Sequence, residues 1–271
     1  MSIIKKASHY DIANRFGSLS KSHQCAIQQI LNAQLGDKPH YHILDFGVGN
    51  GAFLQKLHLY RPHAEFTGID ISTEMLKIAE KALPLTTIHT NATKAAHFVP
   101  LHSQDLVIAH FINAYLPIDS LFNQANLLTN TEGHFSYITT TRESFPNAQK
   151  QIAAYIAKNT LFSRILSHYY QSVSQSNAIS PNKDALLSQF TNHQFEIINH
   201  QRLHIPITLN HIEEWVQFAI EGSWGLNHLT IQKIPKQIII PSFKYIMGKV
   251  IKFPYQDTHV IDVVLAKKHL S

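Results

Sequence analysis

Cysteine is nearly missing: Cys25 is the single one in 271 residues. An intramolecular disulfide is thereby excluded, and so is a cysteine-built metal centre, which fits a reducing cytosol. Charge is sparse too. Charged residues make up 15% of the chain against 44% hydrophobic ones, so a real core can form and the chain does not read as disordered. No apolar run is long enough to span a bilayer, and the opening MSIIKKASHYDIANRF lacks the apolar stretch of a secretory signal. The expectation is a soluble, cytoplasmic protein. Metal-ligand spacing is also absent: there is no H-E-x-x-H, and His40 with His42 makes half a site at most. No metal is expected.

Histidine is what the chain has in excess. Nineteen of them accompany a formal net charge of +5 counted with histidine neutral, so the field of the protein should be pH-sensitive. A positive balance favours an acidic partner or substrate. Nothing beyond that charge supports nucleic acid, because no basic stretch interleaved with stacking aromatics is present.

Hydrophobic periodicity lays out an α/β chain. SKSHQCAIQQILNAQLGDKP reads as a helix with a serine start and a Gly-Asp-Lys-Pro stop. HILDF, EFTGIDI, TTIHT, DLVIAHF and HFSYITT read as strands, with helices after the first, second and fourth and a short or poorly formed one after the third. STEMLKIAEKAL takes Ser72 or Thr73 as its cap. PIDSLFNQANLLTNTEG is expected to stop at its glycine, and TLNHIEEWVQFAIEGSW to start from Thr208 or Asn210. QFEIINHQRLHIPI and QDTHVIDVVLAKK supply two later strands, the last apolar enough to be central. Such alternation implies parallel βαβ units in a doubly wound, mostly parallel, seven-stranded sheet. The expected organisation is one domain over 1–271: a helical cap at 1–40, a core at 41–141, and helical insertions at 142–182 and 208–255.

The stretch HILDFGVGNGAF carries two readings. Gly47, Gly49 and Ala52 fit the dinucleotide pattern G-x-G-x-x-G/A, whereas Asp45, Gly47, Gly49 and Gly51 fit D-x-G-x-G-x-G. Both place a tight turn before a helix N-terminus. Asp45 argues against a pyrophosphate, which it would repel, and for an ammonium group. The helical segment ahead of the loop argues the same way. Asp70, at the end of the next strand, suits ribose hydroxyls in either case, or caps the helix that follows.

The ordered set ILDFGVGNGAF, FTGIDIS, STEMLKIAEKAL and DLVIAHF, between Tyr41 and Thr141, resembles the class I S-adenosylmethionine-dependent methyltransferases. The resemblance implies a Rossmann-like methyltransferase fold and S-adenosyl-L-methionine as cofactor. It further implies that Asp45, Gly47, Gly49 and Gly51 line the methionine end, that Asp70 accepts from the ribose, and that Ile71 packs on the adenine. The family often has an acid near the end of the third strand. Here Asn91, followed by Ala92, stands in its place, either meeting the adenine amine or acting as an ordinary turn residue. His110 and Phe111 follow the fourth strand, where cofactor and nucleophile meet; His110 and Tyr115 are the catalytic candidates, and a structural histidine is the alternative for His110.

The acceptor is less legible. Methyl transfer is an in-line displacement that needs a base only when the nucleophile must shed a proton. AHFINAYLP lacks the Asn/Asp-Pro-Pro-aromatic loop of the base-amino methyltransferases, and no acid cluster follows the fourth strand. The aromatic insertions, with Trp215 and Trp224, form either an apolar lid or simple packing. Tyr10 is the contact candidate in the N-terminal segment, and Arg142 either pairs with an acidic acceptor group or lies on the surface. The expectation is transfer to a small, partly apolar molecule, at oxygen or next at nitrogen. The rivals are a nicotinamide- or flavin-dependent oxidoreductase and a non-catalytic binder of the same cofactor. KIPKQIIIPSFKYIMGKVIKF mixes lysines with bulky apolar residues: a solvated face, or a docking patch over 233–252 for an acidic carrier protein or membrane surface.

Overall fold

The structure is a computed structural model that describes residues 11–33, 40–158, 160–161, 163–164, 167, 179–221 and 236–269. In chain order the elements are α1 (Ser18–Asn32), β1 (His42–Phe46), α2 (Ala52–His58), β2 (Glu65–Asp70), α3 (Thr73–Ala82), β3 (Thr86–His89) and β4 (Gln104–His110). There follow α4 (Ile118–Leu128), β5 (Thr129–Thr139), α5 (Pro146–Ile156), α6 (Lys183–Asn192), β6 (Phe195–Leu209), α7 (Ile212–Val216), α8 (Lys236–Val250) and β7 (Tyr255–Lys268). The strands form one sheet in the order β3-β2-β1-β4-β5-β7-β6. β3 through β5 are parallel, and β7 runs antiparallel to β5. The seven-stranded, mostly parallel fold read from the sequence is the one observed. β4 is buried along nearly its whole length, as expected of a parallel strand covered on both faces.

Two compact units divide the chain. The described residues of Ser20–Thr141, Ala178–Leu203 and Ile261–Ser271 make one, and those of Met1–Leu19, Arg142–Asn177 and His204–Val260 the other. The first holds a core in which Leu44, Phe46, Val107, Ala109, Phe135 and Tyr137 of the sheet meet α4 and α6. Phe122 of α4 sits edge-on to Phe135, Tyr137 and Phe190 at 5.2, 5.1 and 4.9 Å, geometry favoured by the ring quadrupoles. The second has its own cluster, with Ile207, Trp215, Phe218, Met247, Ile251 and Tyr255.

Two boundaries differ from the sequence reading. α4 ends at Leu128, well before Gly133, because Thr129 Oγ1 donates to the Ala125 carbonyl (2.6 Å) and the chain turns directly into β5. Gly133 instead lies inside β5, where a β-carbon would come within 2.8 Å of the Gln104 carbonyl oxygen, beside the register shift between β4 and β5. α7 is capped by neither Thr208, which is in β6, nor Asn210. His211 takes that place, its Nδ1 accepting from Glu214 N (3.4 Å), while Glu214 Oε2 accepts from Asn210 N (2.7 Å). The segment after β3, Ala92–His97, is a 3₁₀ helix.

Candidate active site

The order of strands reverses between β1 and β4, and open α/β sheets bind ligands beyond the strand C-termini at such a point. Here the chain leaving β1 turns through three glycines of positive φ: Gly47 at 73°, Gly49 at 56° and Gly51 at 78°. The turn hangs from β2, since Ile69 O accepts from Gly47 N (2.7 Å) and Val48 N (3.0 Å). A β-carbon on Gly47 would lie 2.7 Å from Ile112 Cδ1, and one on Gly51 3.3 Å from Ala79 Cα. Both positions therefore need glycine for its φ, and the space at each is tight. The Ile112 contact also places the segment after β4 against the glycine turn.

Asp70 ties this turn together. Its Oδ2 accepts from Gly49 N (3.0 Å) and its Oδ1 from Ser72 N (2.8 Å). Ser72 in turn caps α3, accepting from Met75 N (3.3 Å). A carboxylate offers about four lone-pair positions, so Asp70 keeps acceptor capacity beyond these two bonds. Asp45 is only 4% exposed. Burial first, and then the charge of Asp70, push its carboxyl well above the usual range. Two neighbouring carboxyls of this kind disfavour a pyrophosphate and suit a cationic ligand. Ile71, next to Asp70, leaves 61% of its surface exposed, an apolar face at the rim. Asn91 Oδ1 accepts from both Thr93 N and Thr93 Oγ1 at 2.9 Å, so it caps the 3₁₀ helix that begins with the buried Ala92.

His110 ends β4. Its Nε2 lies 3.0 Å from Ser136 Oγ on β5, and its buried Nδ1 has no hydrogen-bond partner among the described residues. Phe53 of α2 meets the imidazole edge-on at 4.3 Å, and the His23 ring of α1 lies 5.8 Å away. Burial, with His23 as a second cause, holds His110 well below its ordinary 6.5; burial, then Lys56, takes His23 down to about 3. Both rings are thus neutral near pH 7. Phe111 follows at φ 54° with its N–H donating to Ile138 O (2.8 Å). A positive φ on a bulky residue costs energy, and such strain clusters at functional sites.

The structure thus brings Asp45, the three glycines, Asp70, Ile71, Asn91, Ala92, His110 and Phe111 to one end of the sheet in the first unit. Tyr115 lies exposed on the 3₁₀ turn Asn113–Tyr115. Arg142 and Trp215 belong to the second unit. Arg142 is half-buried, and its carbonyl accepts from the Gln149 side chain. Trp215 is 9% exposed within the apolar cluster. Tyr10 and Trp224 lie outside the described residues. The sequence reading missed His23, Phe53 and Ser136. His23 carried a usable signal: it precedes Ala26, Ile27 and Ile30 at helical spacing, a histidine on an apolar stripe.

Residues 37–203 match the family model described as a methyltransferase domain, more than half of the chain. The chain belongs to this methyltransferase family. Over 80 residues the methyltransferase is 38% identical to demethylmenaquinone methyltransferase of Thermotoga maritima, a match covering 28% of this chain and 33% of that one. It thus spans a third of the length of this curated relative. Among solved structures it resembles the YcgJ protein of Bacillus subtilis, with a TM-score of 0.57, 11% identity and coverage of 92% and 100%. It also resembles the plantazolicin methyltransferase BpumL, solved with S-adenosylhomocysteine, with a TM-score of 0.51, 17% identity and coverage of 97% and 90%. At these identities the two structures show the fold. S-adenosylmethionine is the cofactor, which resolves the double reading of the glycine loop. The residues present fit it: a buried carboxyl with no cationic partner among the described residues, a second with acceptor capacity to spare, and an uncovered isoleucine.

Proposed function

We propose that the methyltransferase alkylates the oxygen of a small, partly apolar acceptor bearing an acidic hydroxyl, such as a phenol or quinol, with His110 as its proton acceptor. The observation that carries this is the buried, unpartnered Nδ1 of His110 beside the glycine turn. With Nε2–H donating to Ser136 Oγ, Nδ1 presents its lone pair, and burial keeps the ring unprotonated. A base of depressed pKa is best matched to an acidic hydroxyl. The 38% identical relative, named for demethylmenaquinone, is consistent with a quinone-type acceptor.

S-adenosylmethionine supplies an electrophilic methyl group on a sulfonium. Asp45 and the glycine turn hold the methionine end, Asp70 the ribose, and Ile71 one face of the adenine. Asn91 and Ala92 border the adenine, and Phe111 fixes the direction of His110. His110 Nδ1 would take the acceptor proton as the sulfur–methyl bond is exchanged for the oxygen–methyl bond and S-adenosylhomocysteine is left. Arg142, Trp215 and the insertions at 142–182 and 208–255 recognise the acceptor; their sequence pattern supports that part.

A labelled methyl donor, offered with a panel of phenols, quinols, carboxylic acids and amines, tests the reading. His110→Gln should lower kcat on a hydroxyl acceptor by roughly 10²–10⁴-fold, with S-adenosylhomocysteine affinity unchanged. Transfer to amines alone, or full activity of His110→Gln, would refute it.

A further inference from the structure

Helix α8 belongs to the second unit and has an unusual exposed stripe. Pro241, Tyr245, Gly248, Lys249 and Lys252 are exposed, and Lys244 sits between them with 43% of its side chain exposed. Their spacing of three and four places them on one face. The helix carries Lys236, Lys244 and Lys249, Lys252 follows it, and it contains no acidic residue.

The stripe encloses an open depression of about 480 Å³ lined by Ile212, Pro241, Lys244, Tyr245, Gly248 and Lys249. Its floor is apolar and its rim is basic. Lys244 pairs with Glu213 of α7, and Lys249 Nζ stands 4.1 Å from the Tyr245 ring centroid. The two poorest helix-forming residues, proline and glycine, lie one above the other on this face. Among the described residues a β-carbon on Gly248 would meet only Ile212 Cγ1, at 3.9 Å, an ordinary contact distance.

We infer that this face of α8 docks on an anionic phospholipid bilayer. The surface of such a bilayer offers phosphates to the lysines and hydrocarbon to the apolar floor. Lysine and tyrosine suit that boundary, each with an apolar body and a polar tip. No helix among the described residues is long and apolar enough to cross a membrane, so the contact is peripheral. The inference is independent of the acceptor proposed above.

Co-sedimentation of the full chain with vesicles tests it. Vesicles of phosphatidylcholine with a quarter phosphatidylglycerol should pellet the protein, and pure phosphatidylcholine should not. Raising salt from 0.05 to 0.3 M should release it. Each of Lys249→Glu and Lys252→Glu should weaken partitioning roughly fivefold or more. Gly248→Glu, which puts a carboxylate into the depression, should weaken it without lowering the melting temperature. Far-ultraviolet circular dichroism and melting curves confirm that each variant is folded, and neither reads methyl transfer, so a failed acceptor screen and a failed docking test are separate results. Equal binding to neutral vesicles, or no binding to anionic ones, would overturn the inference. Lysine-dependent binding to polyglutamate in place of vesicles would also overturn it and assign the face to an acidic protein.

Discussion

Asp70 gives the sharpest test of where the cofactor lies. Its carboxylate already accepts from Gly49 N and Ser72 N at 3.0 and 2.8 Å, and the proposal adds the two ribose hydroxyls. Hydrogen bonds to a charged group contribute about 1.5–3 kcal/mol each. Asp70→Ala removes both ribose bonds, so S-adenosylhomocysteine should bind roughly 10²–10⁴-fold more weakly. Asp70→Asn keeps one acceptor and should lose roughly 10–100-fold. The two backbone N–H groups stranded in the alanine variant could also loosen the glycine turn and lower affinity indirectly. A double-mutant cycle separates the routes. Isothermal titration of wild type and Asp70→Ala is run with S-adenosylhomocysteine and with its 2′,3′-dideoxy analogue. Direct ribose contact predicts that the penalty of the mutation largely vanishes with the analogue. A penalty equal for both ligands would show that Asp70 acts on the turn alone. A folded Asp70→Ala protein with unchanged affinity would remove the ribose from this residue altogether.

Acid should destabilise the fold. Burial holds His23 and His259 down to about 3, and His110 well below 6.5, so all three are neutral in the fold and take up protons on unfolding below about pH 6.5. Asp45 opposes them, because burial keeps its proton on above the usual 3.8 and unfolding releases it. His134, taken down to about 4 by burial first, adds a fourth imidazole to the three, so unfolding takes up net protons between pH 5 and 6 and stability falls as pH falls. Urea midpoints that stay level from pH 7 to 5 would contradict this. Asp262 is fully buried. It accepts from Arg202 Nε and Nη2 at 2.9 and 2.8 Å and lies 2.8 Å from His200 Nε2. Asp262→Ala leaves a guanidinium without its carboxylate and should cost about 3–5 kcal/mol in urea unfolding; a loss under about 1 kcal/mol would show that water replaces the pair.

Parallel strands were legible because burial on both faces writes them as short apolar runs: β1, β2 and β4 begin and end close to where HILDF, EFTGIDI and DLVIAHF do. Asp70 was legible because its place at a strand end depends on neighbours in sequence. Its bond to Gly49, and the meeting of His23, Phe53, His110 and Ser136, were not. Those contacts join α1, α2, β4 and β5, and no local periodicity records which elements pack together. Gly133 misled because a glycine that admits a neighbouring carbonyl looks, in sequence, like one that ends a helix. α8 falls within the helical insertion expected over 208–255, but its bounds were not legible because Pro241 and Gly248 interrupt its pattern.

The position of β7 has a consequence for how the chain is made. β7 lies between β5 and β6 but comes last, so β6 is synthesised before the strand it must pair with exists. Until residues 255–268 are present, β5 shows a bare, apolar edge and β6 has no place in the sheet. Closing the sheet therefore waits on a contact between distant parts of the chain, a topology that folds slowly and exposes sticky intermediates. The newly made protein depends on its final strand for solubility as much as for shape.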